Sequence, residues 1–261
     1  MHPLLNIAKS AAYAAGEVIN RHVYKLNDLH VTEKEANHYV SEVDIKAEQV
    51  IIDTIRKAYP DHSILTEESG HHEGKMDDCV WIVDPLDGTH NYLHGIPYYS
   101  VSIGIKIKNR LEHAIVYDPH RDECFMATRG GGARCNERRL RVASRPTLKE
   151  AILTSSFSWE GIGSREKYLA IFQQFFEKSL GMRRMGSAAL DLAYVAAGRF
   201  DGVWSVGLKP WDMAAGVLLV KESGGLVGDW NGAEDYMSKG NVVAGNPKMF
   251  KALLQVIQSV S

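Results

Sequence analysis

Val80-Trp81-Ile82-Val83-Asp84-Pro85-Leu86-Asp87-Gly88-Thr89 is the stretch on which the reading of this 261-residue chain turns. Four bulky apolar residues in a row read as a strand buried on both faces, and such a strand delivers the Asp84 carboxylate at its C-terminal edge, where open α/β sheets place their sites. Pro85 lacks a backbone donor and is expected to stop the strand. Asp87 then stands where a helix is expected to begin, and Gly88-Thr89 can turn backbone N–H groups toward an anion. Upstream lies a second acidic pair, Glu67-Glu68. Two carboxylates about 4 Å apart repel by roughly 4 kcal/mol at an effective dielectric of 20, so an acidic cluster implies cations or shared protons. Mg²⁺ suits it best, since it takes a few carboxylates together with water and phosphate oxygens. On spacing alone, Asp-Pro and Asp-Gly-Thr are equally ordinary turn and helix-cap chemistry.

The rest of the composition narrows the class. With 45% hydrophobic and 24% charged residues the usage is that of a globular protein with a substantial core. A net charge of -2 gives no general nucleic-acid or membrane footprint. Cys79, Cys124 and Cys135 form no CxxC pair and read as thiols of a cytoplasmic protein, not as a disulfide framework or zinc site. The N-terminal stretch Leu4, Leu5, Ala8, Ala11, Ala12, Ala15, Val18, Ile19 has helical spacing and reads as an amphipathic helix, not a signal peptide. No apolar run approaches the roughly 18 residues of a membrane span. His71-His72 and His94 read as surface residues, and no histidine stands in a nucleophile motif.

The pattern changes near residue 146. Before it, helices are expected at about 4–20 and 42–59. Val101, Ile103, Ile105 and Ile107 alternate with Ser102, Gly104, Lys106 and Lys108 as a strand with one polar face. Residues 111–144 read as an antiparallel meander with turns at Asp118-Pro119 and Arg129-Gly130-Gly131-Gly132. After it, strands near 151–155, 200–206, 225–228 and 241–244 alternate with helices, of which 247–259 opens on Asn246 as N-cap and Pro247 at the first helical position. Tyr168, Leu169, Phe172, Phe175 and Phe176 form an aromatic stripe expected to pack in the core. With no repeat or linker, the expectation is one domain, 1–261, built of interlocked subdomains at about 1–145 and 146–261.

WIVDPLDGTHNY resembles a signature of the inositol monophosphatase family, and Lys209-Pro210-Trp211-Asp212-Met213-Ala214-Ala215-Gly216 resembles the second. LTEESG, YDPHRDECFMATRGGGA, GSAALDLAYVAAGRFDG and VVAGNP match as well, so the resemblance covers essentially the whole chain. It implies a layered αβαβα sandwich of the α/β (α+β) class. It also implies Mg²⁺-dependent hydrolysis of a phosphate monoester by a metal-activated water, the ester being myo-inositol monophosphate or a similar polyol phosphate. Glu67, Asp84, Asp87 and Asp212 match the family's carboxylate ligands, and Leu86 the position whose carbonyl also binds metal. Asp44 and Thr89, with Glu67, match the groups that orient and activate the attacking water. Gly88 and Thr89 offer N–H groups to the phosphate, while Asp87, the backbone of Ala188 and the position of Ser205 face the alcohol. Glu68 is expected to support the site, and Lys34 to lie in a loop that closes over it.

Some positions depart from that pattern. Ser205 stands where many members carry a Glu that bonds substrate hydroxyls, and a Ser is shorter and uncharged. His38, Ser41 and His90 replace an Asp and two threonines. These changes bear on inositol specificity and not on phosphatase chemistry. The family's dimers place Arg183-Arg184 at a homodimer contact; the same doublet also reads as solvated charge. The likeness is strongest to a bacterial branch whose members also join transcription complexes as antitermination partners, which makes a transcription elongation factor a second candidate partner. A related bisphosphate or nucleotide phosphatase is a third reading.

Overall fold

The computed structural model describes residues 2–23, 31–35, 38–158, 163 and 165–260, with backbone alone at 31–35, 38, 39 and 77. Helix α1 (Pro3–His22) begins with Pro3 at its first position, and His2 caps it by accepting from the Leu4 N–H at 3.3 Å. Its Leu4, Leu5, Ala8, Ala11, Ala12, Ala15 and Ile19 form the expected buried face. A hairpin follows, β1 (Val31–Glu35) with β2 (His38–Ser41), so Lys34 lies on a strand and not in a loop. Helix α2 (Glu42–Ala58) then starts in a capping box in which Ser41 and Asp44 satisfy each other's backbone donors.

The large sheet is assembled from β3 (His62–Thr66), β4 (His71–His72), β5 (Met76–Asp87), β6 (Ser100–Ile107), β7 (Arg110–Asp118), β8 (Glu123–Thr128), β9 (Gly132–Cys135) and β10 (Arg138–Arg139). Their order is β10-β9-β8-β7-β6-β5-β3-β4, and only β3 and β5 run parallel. Contrary to expectation, Pro85 does not end β5. The strand runs on to Asp87 through a register shift between Asp84 and Asp87, and a bulge tolerates a residue without an N–H. Trp81 and Val83 join the α1/α2 core while Ile82 points the other way.

The small sheet contains β11 (Ile152–Phe157), β12 (Gly181–Arg183), β13 (Gly202–Val206), β14 (Leu226–Gly228) and β15 (Val242–Gly245), ordered β12-β11-β13-β15-β14. Between the sheets lie α5 (Ala188–Ala196) and α6 (Pro210–Glu222), whose apolar residues pack on Ile82, Val116 and Phe125 on one side and Val203, Val242 and Ala244 on the other. On the outer face of the small sheet, α4 (Arg165–Lys178) and α8 (Pro247–Ser259) cover Leu153, Trp204 and Val243. The layers are therefore α1α2, large sheet, α5α6, small sheet and α4α8: the αβαβα sandwich that the motifs implied. Among the described residues there are also two short α-helices, α3 (Thr89–Leu93) and α7 (Tyr236–Lys239), and a 3-10 turn at Leu148–Glu150.

Two expectations from periodicity need correction. The second face of β6 is not solvated: Ser102 is buried and donates to the Trp211 carbonyl at 3.0 Å. At Gly104 an added Cβ would stand 2.9 Å from the Ala214 Cβ, so glycine allows α6 to settle on the sheet. The aromatic stripe also divides. Tyr168 and Phe175 are buried against Trp204, but Leu169 and Phe176 are 63% and 67% exposed, because residues one position apart on a helix face different ways.

Candidate active site

Parallel pairing of β3 with β5 puts Thr66 beside Val83. The next residues, Glu67 and Asp84, therefore leave the same sheet edge as neighbours, with the Glu67 N–H still bonded to the Val83 carbonyl at 3.2 Å. Asp84 is buried, and its Oδ1 accepts from the Leu86 N–H at 3.0 Å, which folds the Asp-Pro-Leu turn back on itself. Gly88 follows at φ 100°, where an added Cβ would also approach the Tyr98 carbonyl to 3.0 Å. Only glycine fits that bend without strain, and it starts α3 with Thr89.

Asp44, in the first turn of α2, is buried and held by three donors. The Ser41 N–H and Oγ reach it at 2.8 and 2.5 Å, and the Thr89 hydroxyl, positioned between Asp44 Oδ1 (2.8 Å) and the Leu86 carbonyl (3.0 Å), reaches it from the other segment. Asp87 is gripped from α5: the Ser187 hydroxyl at 2.5 Å, the Ala189 N–H at 2.7 Å and the Ala188 N–H at 3.3 Å all donate to it. The Ala188 amide thus bonds Asp87 itself. Asp212, half-buried in the first turn of α6, accepts from the Lys209 N–H at 2.8 Å. Three helix N-termini meet an acid here, as the sign of the helix dipole favours: α2 and α6 carry Asp44 and Asp212 in their first turns, and α5 receives Asp87 from the end of β5.

The acids act on one another. Burial, then the charges of Glu67, Asp87 and Asp212, hold Asp84 well above the usual carboxylate range. Burial and the charges of Glu67 and Asp87 raise Asp212 in the same way. Asp87 is pushed up to about 6 by burial and Glu67, against the pull of its Ser187, Ala189 and Ala188 donors. Asp44 reaches about 6 through burial, its Ser41 and Thr89 bonds restraining the rise. Among the described residues no three His, Cys, Asp or Glu side chains are drawn into a ready-made metal cluster. The donor set still fits a hard divalent cation. Mg²⁺ needs only one or two carboxylates beside water and phosphate, and buried carboxylates whose charges oppose one another are those that a cation would neutralise.

Glu67, Asp84, Leu86, Asp87, Thr89, Asp44 and Asp212 thus come together. The Glu68 N–H is bonded to the Glu48 carboxylate at 3.0 Å. The Lys34 and His38 side chains lie outside the described residues. Arg183 and Arg184 are exposed; the Arg184 guanidinium stands 4.1 Å from the Phe157 ring centroid. Sequence reasoning missed Ser187, Ser41 in its bonding role, and the buried Asp191. Ser187 stands in a helix-cap position that a Ser before an Ala-rich run does signal, but what it bonds is decided by the fold.

All of residues 1–261 match the model described as the Inositol monophosphatase family. A Pseudomonas aeruginosa protein named Nus factor SuhB is 52% identical over 262 residues, 99% of this chain and 97% of that one. The solved extragenic suppressor protein suhB from Bartonella henselae shares 40% identity at a TM-score of 0.96, over 98% of this chain and 99% of that one. The inositol monophosphatase from Anabaena (Nostoc) sp. shares 36% identity at a TM-score of 0.88, over 99% and 96%. Likeness of sequence and likeness of fold both run nearly end to end, through the strand that carries Asp84 and the helix that carries Asp212, and the chain belongs to the inositol monophosphatase family.

Proposed function

We propose that the chain hydrolyses phosphate monoesters of polyols, myo-inositol monophosphate or a similar ester, with Mg²⁺ held by Glu67, Asp84, Asp87, Asp212 and the Leu86 carbonyl. The observation that carries this reading is the convergence of acids from separate segments: Glu67 and Asp84 leave one sheet edge side by side, Asp87 is held by the N-terminus of α5, and Asp212 stands in the first turn of α6. Perturbed acids of this kind mark functional sites. Bound Mg²⁺ supplies a lowered water pKa and charge neutralisation of the phosphoryl and leaving oxygens. The Thr89 hydroxyl, fixed by Asp44, orients the attacking water; Asp44, raised to about 6, is placed to take a proton passed along that bond. Glu67 stands close enough to raise Asp44 and joins it on the water's side. The N–H groups of Gly88 and Thr89 at the start of α3 hold phosphate oxygens. No side chain needs to become covalently bound.

Asp87→Asn tests the assignment: with saturating Mg²⁺ and inositol 1-phosphate its turnover should fall at least about 10²-fold, the scale of removing one strong electrostatic contributor. Near wild-type turnover would sink it. The Nus factor name borne by the Pseudomonas aeruginosa relative favours a second role, as a partner of a transcription elongation factor. That role predicts capture of elongation factors by the Asp87→Asn variant as efficiently as by the wild type; loss of capture with the carboxylate would tie binding to the site instead.

A further inference from the structure

A cleft of about 330 Å³ opens between the N-terminal end of α1 and the ribbon β8-β9-β10, a volume at the low end of the range for small-molecule sites. Strand β9 stands four strands from β5, on the order of 19 Å at about 4.8 Å per strand, so the cleft is separate from the acids around Asp84. Side-chain alternation decides what reaches it. Ala133 and Leu140 join the α5/α6 core, so their sequence neighbours Arg134 and Arg139 turn to the opposite face, the one on which Met126 joins the α1/α2 core.

Arg134 and Arg139 are directly opposed register partners on β9 and β10. Like charges so placed destabilise a strand pair, and an anion shared between them reverses the sign of the interaction. The exposed Arg139 lays its guanidinium over Gly132, with Nη2 3.7 Å from where a Cβ would stand, and among the described residues it makes no hydrogen bond or ion pair. The glycine-rich turn beside it is not an anion loop. Its Gly130 and Gly132 N–H groups already donate to the Glu222 carboxylate at 2.9 Å each, and the Gly131 N–H donates to the Thr128 carbonyl at 2.8 Å. The turn is thus a wall fixed to α6, and the donors offered to a ligand are the two guanidinium forks, five N–H groups apiece. Buried Leu5 and Met126 supply an apolar floor, His2 stands at the positive end of the α1 dipole, and Glu137 is the one acid among the described residues that line the cleft.

We propose that this cleft is a second binding site, for a small molecule that joins a phosphate-type dianion to an apolar body. A carboxylate has two oxygens and is filled by one guanidinium fork, whereas three terminal oxygens can be shared between two forks, which the facing arginines provide. The apolar body then lies on Leu5 and Met126, and Glu137 repels any second anionic group. The site uses none of the metal-binding acids and stands independently of the phosphatase reading.

The test is calorimetric titration of the full chain, in chelator and mildly alkaline buffer, with phenylphosphonate, an aryl dianion that has no ester bond to cleave. Without a cation the acids around Asp84 repel it, so the heat reads the cleft alone. Wild type should bind one phenylphosphonate per chain. Arg139→Ala and Arg134→Ala should each weaken binding at least about tenfold, the low end for a charge-assisted hydrogen bond. Glu137→Gln should tighten it, and Asp84→Asn, which alters the acids four strands away, should leave it unchanged. Phenylacetate, with one charge, and benzyl alcohol, with none, should bind more weakly in that order. No saturable binding by the wild type, an Arg139→Ala affinity within about twofold of wild type, weaker binding in Glu137→Gln, a changed affinity in Asp84→Asn, or phenylacetate or benzyl alcohol bound as tightly as the phosphonate each overturn the site.

Discussion

Asp212→Asn should stabilise the metal-free protein and at the same time remove its response to Mg²⁺. Asp212 sits half-buried beside Glu67 and Asp87, which together with burial hold its carboxyl well above the usual range. An acid whose folded pKa is raised contributes its stability in full below the unfolded value and loses it as pH climbs through the folded value. Asp87 sets the scale: its rise from 3.8 to about 6 corresponds to roughly 3 kcal/mol lost by pH 7.5, at about 1.4 kcal/mol per unit. Asp84 and Asp212 shift in the same direction. An Asn carries no charge to desolvate and relieves its neighbours, while its amide oxygen can still accept from the Lys209 N–H that caps α6. If about 2 kcal/mol is recovered, Tm should rise by roughly 4–8 °C in a protein of this size.

Differential scanning calorimetry in chelator and in 10 mM Mg²⁺, on the order of a saturating concentration, reads both halves of the effect. In chelator the variant should exceed wild type at pH 7.5, by a margin that is smaller at pH 4.5 and vanishes only below the unfolded pKa of 3.8. Mg²⁺ should raise the wild-type Tm more at pH 7.5 than at pH 5.5, and leave the variant nearly unmoved. A variant that melts below wild type at pH 7.5 in chelator, or a gain that is the same at both pH values, would refute the account of Asp212 as a charge held against its own electrostatics.

Thr89→Val removes the hydroxyl between Asp44 and the Leu86 carbonyl and should lower kcat by about 10²-fold with KM within a few-fold; a large KM rise with kcat intact would make Thr89 a binding group only. At Gly216 an added Cβ would lie 2.4 Å from the Leu192 Cβ, so Gly216→Ala should cost about 1–3 kcal/mol by forcing α5 from α6. An unaltered urea midpoint would mean that the helices part freely. We also propose a homodimer with Arg184 at its contact: Arg184→Ala should raise the dimer dissociation constant about thirtyfold or more, the equivalent of about 2 kcal/mol. Sedimentation across a dilution series that finds the same constant, or a monomeric wild type, defeats this.

What the sequence made legible was local. The run before Asp84, the cap of α8 and the two acidic signatures all depend on residues within a turn of one another, and helices α1, α2 and α8 fall within a few residues of expectation. Contacts between segments were not legible. The strand His62–Thr66 escaped notice, and with it the parallel pairing that makes Glu67 and Asp84 neighbours. Pro85 looked like a stop because its missing donor is a local fact, whereas the bulge that accommodates it is set by β6. The stripe 168–176 has helical spacing throughout, and only the placement of α8 and the small sheet decides which side of it is covered.

The assembly of the site explains why the middle layer is so rich in small residues. Ala188, Ala189, Ala193 and Ala196 on α5 share one core with Ala214 and Ala215 on α6; Gly216 of α6 lies against Leu192 of α5, and Gly104 on the sheet admits α6 at Ala214. Larger side chains would stabilise an ordinary helix pair by burying more area. Here they would move apart the N-terminus of α5, whose amides hold Asp87, and that of α6, which carries Asp212. Close helix packing is therefore the means by which two acids distant in sequence are held against their mutual repulsion, and the metal-free protein should be least stable where the catalytic protein is best prepared.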